Sequence, residues 1–173
     1  MQVSDMDRHY YGDHQFTLAR HPSETDERMM VRLLAFALNA SDTLQFTRGL
    51  STDDEPDIWQ KNMSDDIELW IDLGQPDEKR VRKACGRADK VLIYCYQQSG
   101  AQSWWEQHCN KFQRFDNLGI IMIPEDTVAA IGQMAERGMQ LQCTIQDARL
   151  WFSNGDQAVE IAPQTWKSTR DER

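Results

Sequence analysis

From Ile67 to Gly74 the chain alternates without a break, and a helix start follows at once in Gln75-Pro76-Asp77. Ile67, Leu69, Ile71 and Leu73 fall on one face of a strand, and Glu68, Trp70, Asp72 and Gly74 on the other. The period of two fixes a strand, and its first face is core. The second face sets two carboxylates beside a Trp near the strand end. Ionised carboxylates on a half-buried strand are costly unless a cation meets them. For Asp72 two partners answer that need: a metal ion, or an arginine of the helix that follows. The pattern leaves both open.

That helix spans Pro76 to Asp89, with Val81, Ala84, Cys85 and Ala88 on its apolar face and Lys79, Arg80, Arg82, Lys83 and Arg87 opposite. Asp77 to Asp89 holds five basic and three acidic residues, a local charge of +2, so the remainder carries −11 of the total of −9. Val91 to Tyr96 is an unbroken apolar strand, and strand, helix and strand together predict a parallel crossover. Upstream, His21-Pro22-Ser23-Glu24-Thr25-Asp26-Glu27 is a helix start in which Ser23 caps and Asp26 answers it. The helix it opens, 22–40, is apolar nearly all round. Residues 1–20 read as a very short strand, a turn at Tyr10-Tyr11-Gly12-Asp13 and a returning strand from Gln15 to Ala19.

Leu44 to Leu50 is a strand, followed by an acidic loop with Asp53, Asp54, Glu55 and Asp57 around Pro56. Ile58-Trp59 opens a short element. A helix over 101–112 carries Trp104 and Trp105, both read as core, and an apolar strand covers 118–123. A helix over 127–137 closes at Gly138. Alternation from Met139 to Gln146 and the turn signal Asn154-Gly155 predict a C-terminal hairpin. The whole reads as a single α/β domain, a mixed sheet flanked by helices, spanning 1–173.

A chain of 173 residues that is 40% hydrophobic with six Trp buries a real core. A net charge of −9 repels nucleic acid at long range, so such a partner needs a local basic patch. No apolar run reaches the length of a membrane span and no signal peptide is present, so the expectation is a cytosolic protein with no membrane association. Cys85, Cys95, Cys109 and Cys143 form no C-x-x-C pair and read as buried reduced thiols. His9, His14, His21 and His108 have no zinc spacing.

Several long strings resemble the bacterial YaeQ family: His21-Pro22-Ser23-Glu24-Thr25, Leu44-Gln45-Phe46-Thr47-Arg48-Gly49-Leu50, Asp53-Asp54-Glu55-Pro56, Ile71-Asp72-Leu73-Gly74, and Pro76-Asp77-Glu78 through Arg82-Lys83-Ala84-Cys85. The resemblance covers essentially the whole chain. The family usually carries a longer first strand, so a trimmed or absent first strand is expected. The resemblance implies a compact variant of the PD-(D/E)XK nuclease fold, in which carboxylates hold Mg²⁺ and a Lys positions the nucleophile. On that basis Asp72 is the strand carboxylate, Glu55 or Asp57 the carboxylate before it, and Glu24 the acid from the first helix. The Lys slot two residues past Asp72 holds Gly74, so Lys83, Lys79 or Arg80 would supply the charge from the next helix.

Each candidate also has a structural reading. Glu55 and Asp57 fit a solvated acidic loop, and Glu24 complements a helix dipole. Arg20 and Ser23 either bind an anion at the helix start or serve as salt bridge and cap. In the resembled fold Arg20, Ser23, Glu24, Glu55, Asp72, Gln75 and Lys83 are expected to form one polar cluster. Two functions follow as expectations: an Mg²⁺-dependent nuclease or other phosphodiesterase, or a non-catalytic module on a nuclease scaffold that binds nucleic acid or a protein.

Overall fold

The computed structural model describes residues 1–48 and 54–172. Asp53 and the Gly49-Leu50 end of the strand expected after Leu44 lie outside the described residues. In chain order the elements are β1 (Gln2–Asp5), β2 (Tyr10–Asp13), α1 (Asp26–Leu38), β3 (Leu44–Phe46), β4 (Ile58–Lys61), β5 (Ile67–Leu73), α2 (Glu78–Arg87), β6 (Ala88–Cys95), α3 (Gln98–Phe112), β7 (Leu118–Met122), α4 (Glu125–Gly132), β8 (Gln142–Gln146), β9 (Arg149–Ser153), β10 (Ala158–Ile161) and β11 (Gln164–Lys167). The class is α/β, with mixed sheets flanked by four helices. The strands divide between two sheets, and the chain divides into two compact units.

The first unit holds Met1–Asp42 and Ile123–Pro163. Its sheet runs β10-β9-β8-β1-β2, with β1 antiparallel to β2 and parallel to β8. The short first strand is therefore present, and it lies inside the sheet. Tyr10–Asp13, expected as the turn, is itself a strand, and Gln15–Ala19 is not. The turn falls at Met6–His9 because Asp5 builds it there. Its buried carboxylate accepts from the Arg8 amide at 3.0 Å and from Arg8 Nε at 2.7 Å. Helix α1 is buried from Met29 through Ala37, as its nearly continuous apolar surface predicts, and it packs on α4.

Two turns depart from expectation. Asn154-Gly155 opens a four-residue loop, because Asn154 Oδ1 accepts from the amides of both Asp156 and Gln157. The two-residue turn is instead Asp147-Ala148, with φ of 54° and 61°. It lacks glycine, and Asp7 compensates: its two carboxylate oxygens each accept one turn amide, from Asp147 and Ala148, at 2.8 Å. An alanine held in the left-handed region carries strain. Ala148→Gly is expected to raise stability by roughly 0.5–1 kcal/mol, read from the urea midpoint.

The second unit holds Thr43–Met122 and the chain from Gln164 onward. Its sheet runs β11-β7-β6-β5-β4-β3, parallel from β5 through β7 and antiparallel at both flanks. The crossover β5-α2-β6 is parallel, as expected. Both faces of β5 are covered. Trp70 and Asp72 sit opposite Val91 and Ile93 on the face that α2 and α3 pack against, where Val81, Ala84, Ala101, Trp104 and Phe112 join the core. The supposed outer face of the alternating strand is thus an interior one, and Asp72 is only 3% exposed. Trp104 is core and donates to the Pro76 carbonyl at 2.7 Å, whereas Trp105 is half-buried against Trp166.

Candidate functional site

Helix α2 follows β5 after a four-residue link and packs on β6, and Arg80 of its first turn reaches Asp72. Asp77 caps that turn by accepting from the Arg80 amide at 2.8 Å. Arg80 then reaches down. Its Nε donates to Asp72 Oδ2 at 2.9 Å and an Nη donates to Oδ1 at 3.0 Å, a forked pair. Trp70 Nε1 adds a bond to Oδ2 at 3.1 Å. Of the two partners the alternation left open, the one beside Asp72 is the helix arginine. Burial is the main influence on the Asp72 carboxyl and raises its pKa above the ordinary value, with Arg80 and Trp70 pulling it back down and Asp57 adding to the rise.

The acidic loop is fastened to the same helix mostly through its backbone. Arg80 donates to the Glu55 carbonyl at 2.9 Å and Arg87 to the Asp54 carbonyl at 2.9 Å. Lys83 meets the Asp54 carboxylate at 3.2 Å. Asp57 turns its Oδ2 to the Leu73 amide at 2.9 Å, which ties the loop to β5. Arg80 and Arg87 also lie over the Trp70 ring, 5.9 and 5.2 Å from its centroid. Gln75 is half-buried with its amide against Gly100. Gly74 has φ of 91°, a conformation that would strain a lysine in the (D/E)XK position.

Arg20, Ser23 and Glu24 belong to the first unit, Glu55, Asp72, Gln75 and Lys83 to the second. The cap of α1 is Thr25, which accepts from the Arg28 amide, and not Ser23. Ser23 Oγ instead pairs with His21 Nδ1 at 2.7 Å. Exposed Arg20 is paired with Asp26. Glu24 is 6% exposed, and its two oxygens meet Arg28 at 3.0 Å and Arg32 at 2.8 Å. Arg32, itself 5% exposed, also donates to the Ala19 carbonyl. The spacing of Glu24, Arg28 and Arg32 at four-residue steps was the overlooked signal.

Magnesium needs several oxygen ligands with lone pairs turned toward it. Asp72 spends both oxygens on Arg80 and Trp70, Asp57 turns one to a backbone amide, and Glu24 is held by two arginines. An ion at Asp72 would face a guanidinium at hydrogen-bond distance. Among the described residues no group of three or more His, Cys, Asp or Glu could hold a metal ion. The arrangement does not fit the Mg²⁺ site that the resemblance implies at Asp72, Glu55 and Asp57. The four cysteines are free thiols, and burial pushes those of Cys85, Cys95 and Cys143 up to about 12.

The sequence profile described as "YaeQ protein" matches residues 1–163. The chain belongs to the YaeQ family. It is 46% identical over 167 residues to "Uncharacterized protein YaeQ" of Salmonella typhi, covering 96% of this chain and 92% of that relative. The protein of the same description from Escherichia coli K12 is 45% identical with the same coverage. Among solved structures, the YaeQ protein from Xanthomonas axonopodis pv. citri matches with a TM-score of 0.93 at 48% identity, covering 96% of this chain and 94% of that one. The YaeQ protein from Pseudomonas syringae matches with a TM-score of 0.91 at 31% identity, covering 97% and 93%. These YaeQ names carry a family and no activity. Among the described residues no helix is long and apolar enough to cross a membrane.

Proposed function

We propose that this YaeQ-family protein is a non-catalytic module that binds a nucleic-acid strand through the outer side of α2. One observation carries the reading. The carboxylate that would have to do metal chemistry is locked by Arg80, whereas Lys79, Arg82, Lys83 and Arg87 lie exposed on the same helix. Exposed Arg114, just past the end of α3, joins that side: it and Arg82 share the one carboxylate of Glu78, each at 3.6 Å. Cations in excess of their acid partners on an otherwise acidic chain focus a polyanion onto one side.

The test pairs anisotropy of labelled single-stranded oligonucleotides with calorimetry of Mg²⁺. Binding is expected to weaken steeply with salt, by a logarithmic slope of about −0.7 for each phosphate neutralised. Lys79→Glu combined with Arg82→Glu is expected to abolish it. Mg²⁺ is expected to bind neither the wild type nor Asp72→Asn. The competing reading is an Mg²⁺-dependent nuclease with Asp72 and Glu55 or Asp57 on the metal, Glu24 assisting and Lys83 orienting water. It requires Arg80 to leave Asp72. Mg²⁺-dependent cleavage that disappears in Asp72→Asn would overturn the non-catalytic proposal in its favour.

A further inference from the structure

In the second unit Trp59 of β4 pairs in register with Trp70 of β5, so the two indoles stand on one face of the sheet. That face is the one α2 and α3 pack against. Cover thins beyond β5: Trp70 is 1% exposed, whereas Trp59, one strand further out, is half-buried. The rings meet edge to face with their centroids 6.5 Å apart. A cation stands on each. Arg87 of α2 lies 5.2 Å from the Trp70 centroid, and Lys61 Nζ lies 3.9 Å from that of Trp59. The exposed basic side of α2 thus continues onto the sheet as Arg87, Trp70, Trp59 and Lys61. Both cations keep their charge uncompensated by a direct partner. Arg87 donates to a carbonyl, that of Asp54, and among the described residues neither it nor Lys61 has a carboxylate within salt-bridge distance. The acid on that face of β5 is Glu68, which accepts from Gln60 Nε2 at 3.4 Å.

On the reading of α2 as a nucleic-acid surface, on which this rests, we infer that the ligand is a single strand and that one of its bases stacks on the Trp59 indole. Cations alone hold any polyanion, and they hold a duplex as readily as a single strand. An accessible indole among them adds a demand that only unpaired bases meet, because a duplex keeps its base faces inside the stack. Lys61 is the group that has to give way. A lysine resting on a half-exposed ring is weakly held, and its flexible stem lets the ammonium swing off. In the complex Lys61 exchanges the ring for a phosphate while the base takes its place on Trp59. Both halves of the exchange are favourable: stacking of a base on an aromatic side chain outweighs an exposed cation–π contact, and the ammonium gains a charged partner. Every base has a π-face, so the contact tolerates any sequence.

The probes are a fluorescein-labelled oligothymidylate, a strand of the same length and charge whose sugars carry no bases, and a duplex of that length, each titrated with the full chain. The thymidylate is expected to bind about tenfold more tightly than the abasic strand. Trp59→Leu is expected to bind both as weakly as the wild type binds the abasic one, and to leave duplex binding unchanged. Trp59 also packs against the core, so the wild type supplies a second readout: a strand carrying iodouracil, irradiated on the protein, is expected to cross-link at Trp59. Equal binding of the thymidylate and abasic strands, with both lost in the combined Lys79→Glu and Arg82→Glu variant, would overturn the stacked base and leave the α2 surface standing. Duplex binding as tight as that of the thymidylate, a tenfold preference that survives in Trp59→Leu, or cross-links confined to other residues would overturn it in the same way. No binding of any probe by about 1 mM, the range of the weakest specific contacts, would overturn the α2 reading and the stacked base together.

Discussion

Arg80→Ala is expected to destabilise the folded protein by about 3 kcal/mol, the lower end of what breaking a buried ion pair costs. The loss comes chiefly from what is left behind. Asp72 is 3% exposed, and without the guanidinium its charge keeps only the Trp70 indole N–H. The Glu55 carbonyl loses a donor in the same substitution. The lower end applies because the Arg80 side chain is 24% exposed, so solvent already shares the pair. Urea denaturation at neutral pH reads the effect. A loss below about 1 kcal/mol, typical of a surface pair, would show that Asp72 does not depend on this arginine.

The same substitution carries a pH signature. Burial holds the Asp72 carboxyl above its ordinary value of 3.8, so between that value and its folded one the native state holds the proton more tightly than the unfolded chain does. Its contribution to stability therefore falls as pH rises through that window and is level above it. Removing Arg80 removes a lowering influence and extends the window upward. The penalty of Arg80→Ala is expected to be largest at neutral pH and to shrink as pH is lowered and Asp72 takes up its proton. A penalty that grows on acidification would contradict this account.

Periodicity made most of the fold legible. The apolar run of α1, the amphipathic α2 and the crossover from β5 to β6 are local patterns with one stable solution each. What failed was the assignment of faces. Glu68, Trp70 and Asp72 alternate with apolar residues, and such a strand reads as half solvated. Here α2 and α3 cover that side, and an acid is tolerated there only because Arg80 arrives from a different element. Trp70 beside Asp72 was the available hint, since a large aromatic seldom shares a solvated strand face by chance. The Asp147-Ala148 turn was illegible for a related reason. Its support, Asp7, lies far away in sequence, and no local signal replaces the missing glycine. The candidate site was readable as a set of residue types, while its pairing depended on geometry that spacing alone does not set.

Arg32→Ala is expected to cost more than Arg80→Ala, about 4–5 kcal/mol. Both members of its pair are more deeply buried: the Arg32 side chain is 5% exposed and that of Glu24 1%. Arg28, at 16%, remains to meet one Glu24 oxygen, which sets the loss short of complete uncompensation. The Ala19 carbonyl also loses its donor, so the chain leading into α1 loosens with it. Arg28→Ala should cost much less, about 1 kcal/mol, because its pair is an i,i+4 contact nearer the solvent. Glu24→Gln separates a structural role from a chemical one. If Glu24 serves only to neutralise two arginines, the amide is expected to lower stability by about 1–3 kcal/mol with no loss of nucleic-acid binding. High salt should hardly change that difference, since ions screen a buried pair weakly. A Glu24→Gln protein of unchanged stability would instead mean that Glu24 is not held as an ionised partner of these arginines, and the acid would return as a candidate for chemistry.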